Sequence, residues 1–315
     1  MSRLKNIGSG SERTRLATAG AKAVTMSQLS KQPAKDRILG NVFFAVLLLA
    51  VTIALIGLGA LVVQAFIEGG PRFSLDLFTN PPSSLDVENA GFRPALMGTL
   101  YLILGVILLI VPLGVGSAIY LEEYADSNRW WNKMIELNIQ NLAGVPSIIY
   151  GILGLAFIVR GPLDLGFILA AGSLTLALLV LPVVILAARE ALRAVPPSVR
   201  EGSLALGATE WQTIRKQVLP AAIPGIATGV ILAISRAIGE TAPLLLVGAT
   251  TFVTFNPTFF GENFSALPVL IFQYASRPQE EFKVLAAAGV IVMLIVLLAM
   301  NSFAVWLRNR YEQQW

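Results

Sequence analysis

The stretch "ILAISRAIGETAPLLLVGA", residues 231–249, is apolar enough to cross a lipid bilayer, yet it carries a cation, Arg236, and an anion, Glu240, near its middle. An ionised group at the bilayer centre costs about 2.5–3.5 kcal/mol on insertion scales. Residues four apart share a helix face, so the two side chains can pair. Gly225, Gly229, Leu232, Gly239 and Pro243 fall on the same stripe at helical spacing. Gly225 and Gly229 form a GxxxG step, which lets another helix pack closely. The stripe therefore faces protein or a water-filled path rather than lipid. Two readings of the pair stay open. One is an internal ion pair that locks helix packing. The other is a station on an ion path, where the forked donors of Arg236 match an oxyanion and Glu240 holds the guanidinium between ions. Pro243 lacks a backbone donor and predicts a kink beside Glu240.

The surrounding chain settles the class. Its 315 residues are 55% hydrophobic and 13% charged, with mean hydropathy +0.71. A soluble protein carries about 25% charged residues. Several apolar runs are long enough to span a bilayer, where the backbone must satisfy itself as helix. The expected fold is an all-α polytopic membrane protein. Six spans are read at about 41–66, 95–120, 141–159, 167–188, 223–249 and 284–307. The transmembrane domain is thus expected over 41–315. Residues 1–40 hold eight Lys or Arg, two acids and no apolar periodicity, and read as a disordered basic tail. The first span follows a tail too long for a signal peptide and is expected to be retained. The chain has no Cys and no His, which removes thiol catalysis, disulfides and the usual zinc sites.

Lys and Arg distribute unevenly around these spans. With the N-terminus inside, the inner segments hold 17 and the outer segments 5, and Arg236 completes the 23. This bias predicts both termini in the cytoplasm. It also explains the pI of 9.5 as membrane orientation, with the lipid bilayer and not nucleic acid as the partner. Segment 121–140 runs against the trend, with four acids and two bases. No internal repeat is visible, which counts against the inverted repeats of many secondary transporters. Pro146 and Ser147 in the third span read either as a packing kink or as a kink and hydroxyl beside a path.

The longest inner loop, 189–225, predicts two short helices, about 197–206 and 210–218. Gly207 suits the left-handed position after the first, Thr209 the N-cap of the second. Pro220 is expected to end the second helix, and Pro224 to start the fifth span. Within it, "EGSLALGATEWQTIRKQVLP", 201–220, resembles the coupling loop of bacterial ABC-importer permeases, in which an EAA triplet, a Gly and a terminal Leu-Pro recur at fixed spacing. Glu201, Gly207, Leu219 and Pro220 match that spacing. Gly202-Ser203 replaces the double Ala, and Gln217 stands where Ile is usual.

Other stretches narrow the resemblance. "SRAIGETAPLLLVGA" is similar to the fifth span of Pst-type phosphate permeases, and the Pro after Thr-Ala points to the A-subunit (PstA) branch. "NLAGVPSIIYGILGL", 141–155, and "FRPALMGTLYLILGVILLIVPLGVGSAIYLEEYA", 92–125, look like that family's third and second spans. The resemblance implies a six-helix type I importer transmembrane domain in the bacterial inner membrane. It implies half of a phosphate pathway, with a PstC-like permease as the other half, a PstB-like ATPase dimer inside and a PstS-like phosphate-binding protein outside. Arg236 and Glu240 would act in phosphate passage, and Glu201, Gly207, Leu219 and Pro220 in ATPase coupling. No Walker A pattern occurs, so this chain is expected to be no enzyme and to bind no cofactor, with ATP and Mg held by the ATPase. The rival expectations are an ABC permease for molybdate, sulfate or phosphonate, a stand-alone secondary anion transporter, and an intramembrane enzyme.

Overall fold

The structure, a computed structural model, describes residues 34–126, 128–249, 253–261 and 263–311. The tail expected over 1–33 lies outside the described residues. The chain divides into two units between Gln64 and Ala65. The described part of the first is helix α1, Ala34–Gly69, whose last residues belong to the second unit. Residues 34–40 are therefore helix, not tail. At 36 residues, α1 is about 54 Å long, well beyond the roughly 30 Å hydrocarbon core. Thr52, within its apolar run, bonds back to the Leu48 carbonyl at 2.7 Å and so hides its hydroxyl.

The second unit is helical, with no strand among the described residues beyond an isolated bridge between Ala249 and Phe264. Its long helices are α2, Arg93–Ile119, α5, Leu169–Arg193, α8, Leu219–Gly239, and α11, Glu280–Tyr311. Shorter pieces lie between them: α3, Trp130–Ala143, α4, Ser147–Leu153, α6, Pro197–Ala205, α7, Glu210–Thr213, α9, Ala242–Leu246, and α10, Leu267–Ala275. Five helices are long and apolar enough to cross a membrane among the described residues, or six if the bent α3–α4 pair counts as one.

Helices α2 and α5 run parallel and pack through small residues. A Cβ on Gly105 would sit 2.6 Å from the Ser173 hydroxyl, and one on Gly114 would meet Val184. Leu102, Val106, Ile110, Leu176, Val180 and Val184 are buried along this contact. Helix α8 runs back antiparallel to α5. Its Gly225 faces Ala191 and its Gly229 faces Ala187, whose Cβ would lie 2.4 Å from an added methyl. Lipid gives no hydrophobic drive for such contacts, so close van der Waals packing of small residues carries them. Gly229→Ala is therefore expected to lower the unfolding temperature of the detergent-purified protein, as overpacking costs about 1–3 kcal/mol. Ala187→Gly in the same chain should recover most of the loss. Two polar ties join α8 to α11. Arg308 donates to the Thr228 hydroxyl at 3.0 Å, and the Ser235 hydroxyl lies 2.6 Å from Asn301 Oδ1.

Segment 250–283 contains α10. Tyr274 on α10 lies between Phe92 and Phe282, with ring centroids 6.0 and 5.4 Å apart. Burial pushes the Tyr274 phenol up to about 12, so it stays protonated at physiological pH, with the Arg277 guanidinium 4.3 Å over the Phe282 ring beside it.

Two expected spans and one expected loop helix change shape. The third, 141–159, is not one helix. Helices α3 and α4 meet at 106°, with Gly144, Val145 and Pro146 at the corner. Proline forces the residue before it towards extended backbone, so the helix cannot run through. The Tyr150 hydroxyl closes the corner by donating to the Leu142 carbonyl at 2.9 Å. The fifth span, expected to reach 249, ends as a helix at Gly239, with Glu240 extended at φ −73°, ψ 122°. Pro243 kinks nothing; it sits in the first turn of α9, where its fixed φ fits. Finally, Pro220 does not end the second loop helix. Helix α7 passes through a π-helical turn, Ile214–Val218, straight into α8. The wider turn relieves the clash between a proline ring and the carbonyl four residues earlier.

Candidate functional site

Arg236 occupies the last turn of α8, where the aligned carbonyls favour a cation. Glu240 follows the helix end. Its Oε1 accepts from Arg236 Nε at 3.2 Å, in the i to i+4 relation the sequence suggested. The helix itself stops between them, so the contact spans a helix end and not one helix face. It is a single-point contact. No other hydrogen bond of the guanidinium is present among the described residues, and its side chain is 43% exposed against 16% for Glu240. Leu232, one turn earlier, is exposed as well. The face that Gly225 and Gly229 press onto α5 thus opens towards Arg236.

The wall behind Glu240 comes from the broken third span. A Cβ on Gly151 of α4 would lie 2.7 Å from the Pro243 Cα, so α4 rests directly on α9. Tyr150, one residue earlier, lies within the electrostatic reach of Arg236. Tyr150 and Asn301 were not singled out from sequence. A signal existed for Asn301, a lone amide inside the apolar run "VLLAMNSFAVW". None existed for Tyr150, whose place depends on the 106° corner.

The loop residues form a second location. Helix α6 closes with Gly207 at φ +85°, where its amide donates to the Leu204 carbonyl at 2.9 Å and that of Ala208 to the Ser203 carbonyl at 3.2 Å. This Schellman pattern needs the left-handed residue that glycine supplies without strain. Thr209 and Gln212 then exchange two hydrogen bonds, 3.3 and 3.0 Å, as a capping box that starts α7. The Ser203 and Thr213 hydroxyls, 2.9 Å apart, hold the two short helices together. Glu201 is exposed on α6, and Leu206 at its end is 91% exposed beside exposed Leu204 and Trp211. Leu219 and Pro220 do not belong to this outward face. They lie in the first turn of α8, with Leu219 packed against the buried Val218, Ala222 and Leu192 cluster.

Comparison with known proteins adds the following. Residues 110–313 match the family model described as "Binding-protein-dependent transport system inner membrane component". The "Probable ABC transporter permease protein YqgI" of Bacillus subtilis is 32% identical, covering 80% of this chain and 88% of that protein. The "Phosphate transport system permease protein PstA" of Haemophilus influenzae is 35% identical, covering 81% and 88%. Among solved structures, a bacterial alginate ABC transporter in complex with an alginate-bound periplasmic protein is similar in fold, with a TM-score of 0.65 at 16% identity over 89% of this chain and 98% of that one.

Proposed function

This chain belongs to the binding-protein-dependent transport system inner membrane component family, and from that premise we propose that it is the permease subunit, of the PstA type, of an ATP-driven phosphate importer. It is a multi-pass membrane protein of the ABC type I importer fold. The observation that carries the phosphate reading is Arg236. It is a cation inside a span, exposed on one side and held at one point by a carboxylate. A guanidinium so placed can exchange Glu240 for a phosphate oxygen without unfolding its surroundings. Binding there must be weak for the anion to leave again. Strong selection then falls to an external phosphate-binding protein.

Energy reaches the pathway through α6 and α7. Leu204, Leu206 and Trp211 form an apolar outward face, with Glu201 beside them, suited to a cleft on a cytoplasmic ATPase. That ATPase, PstB-like, would hold ATP and Mg and carry out hydrolysis, and this chain would hold no cofactor. A PstC-like permease would supply the other half of the pathway, and a PstS-like protein would deliver phosphate from outside. Both termini and the α6–α7 loop would lie in the cytoplasm of a bacterial cell, across its inner membrane.

The test is uptake of labelled phosphate by liposomes containing the purified complex, with binding protein outside and ATP inside. Uptake should require both and should resist excess sulfate, molybdate and phosphonate. Uptake of one of those anions in preference to phosphate would reassign the substrate. Phosphate uptake that persists without the ATPase would replace the importer by a secondary transporter.

A further inference from the structure

The four acids of segment 121–140 run against the positive-inside pattern, and three of them face arginines far along the chain. Glu122 and Glu123 lie in the π-helical turn Tyr120–Tyr124 that prolongs α2. Glu122 accepts from Arg193 through both carboxylate oxygens, each at 3.0 Å, and lies 3.4 Å from Arg189. Buried Arg189 also meets Glu136 of α3 at 3.1 Å. Glu123 takes Arg200, the residue just before Glu201 on α6. Nη2 donates to one of its oxygens at 2.7 Å and Nε to the other at 3.3 Å. The remaining reach of the same guanidinium is used on the end of α5 and the link that follows it. Nη1 donates to the Val195 carbonyl at 2.7 Å and Nη2 to the Leu192 carbonyl at 2.9 Å. Leu192 is in the last turn of α5, where its carbonyl also accepts from the Val195 amide at 3.2 Å, and Val195 lies two residues past the helix end.

One side chain thus joins three elements: the helix it stands on, the end of α5, and the end of α2. The Glu123 side chain is only 9% exposed and that of Arg200 24%, so the carboxylate end of this fork is largely shielded from solvent and salt. Without it, α6 would hang from α5 by residues 194–196, where the chain is not helical, and would be held sideways by the Ser203–Thr213 hydroxyl contact and by Val199, which packs on the buried Leu192, Val195 and Val218 cluster. Helix α2 is neither before nor after α6 in the chain. The Arg200 fork is its direct ionic tie to the loop.

We propose that Arg200 is a positioning residue that clamps α6 onto α2 through Glu123. A displacement of the loop is thereby delivered to the packed α2–α5 pair and is not absorbed in the Val195–Pro196 link. The inference rests on the importer reading given above. A planar fork with four bonds cannot be replaced by the point charge of lysine.

The test uses the full complex in liposomes and measures phosphate uptake and ATP hydrolysis in the same sample. Glu123→Gln and Arg200→Lys should each retain the copurifying ATPase and its hydrolysis. Phosphate moved per ATP should fall about tenfold, as expected when a desolvated charge pair loses one partner. Because the chain has no cysteine, Glu123→Cys/Arg200→Cys provides a second, charge-free test. Bridging the two thiols with a short bis-maleimide should restore the ratio, while a single-ended maleimide should not. A wild-type ratio in Glu123→Gln, or a bridge that restores nothing, overturns the clamp. If the unmodified complex moves no phosphate on ATP, it is the importer reading that fails, and the clamp with it.

Discussion

Replacing Arg236 by alanine is expected to lower phosphate uptake by about 100-fold while the complex still assembles. Each charge-assisted hydrogen bond is worth about 1.5–3 kcal/mol, and every 1.4 kcal/mol is tenfold in rate. A forked contact to a passing phosphate therefore accounts for two decades or more. Assembly survives because the side chain is 43% exposed and makes one hydrogen bond, to Glu240. Its removal leaves no cavity in the α2–α5–α8 core. Arg236→Lys keeps the charge but loses the fork, and uptake is expected to stay below about a tenth of wild type. The measurement is initial uptake of labelled phosphate at fixed complex content. If Arg236→Lys transports fully, forked recognition is wrong. If Arg236→Ala does so too, the pair reverts to a packing contact at the end of α8.

Leu206→Asp is expected to disconnect transport from ATP, with uptake falling about 30-fold or more and the chain still folded in the membrane. Leu206 is 91% exposed at the end of α6 and makes no core contact that its loss would disturb. A side chain with that exposure on a loop held by a Schellman close and a capping box is a preorganised docking element. Truncating an apolar anchor in an interface costs about 2 kcal/mol or more, and a buried unpaired carboxylate adds to that. The check is copurification of the ATPase, which should fall in parallel with uptake. Normal ATPase retention and normal uptake in Leu206→Asp would remove this face from the docking surface.

The residues differ in how far they could be read in advance. Gly207 was legible because a helix close is local, and the same holds for the N-cap at Thr209. Its capping partner Gln212 was there to be read three residues on. Arg236 and Glu240 were legible because charge inside an apolar run is costly wherever it occurs. The two prolines misled. Pro220 reads as a helix stop, yet a wide turn before it keeps the helix intact. Pro243 reads as a kink, yet the helix has already ended at Gly239. In both cases the outcome depends on the backbone just before the proline, a wide turn in one and a helix end in the other.

By itself, the sequence determined the membrane class, the long helices, the uneven spread of Lys and Arg among the segments between them, and the two short helices of the 197–218 loop. All of these rest on composition, period and spacing within a few dozen residues. Only the tertiary structure decided that the third span breaks at Pro146, that Tyr150 stands near Arg236, and that the surplus acids of 121–140 belong to Arg189, Arg193 and Arg200. Glu123 and Arg200 are 77 residues apart. Their meeting is set by the parallel packing of α2 on α5, which brings two helix ends to the same level of the molecule. No local pattern in the chain encodes that level.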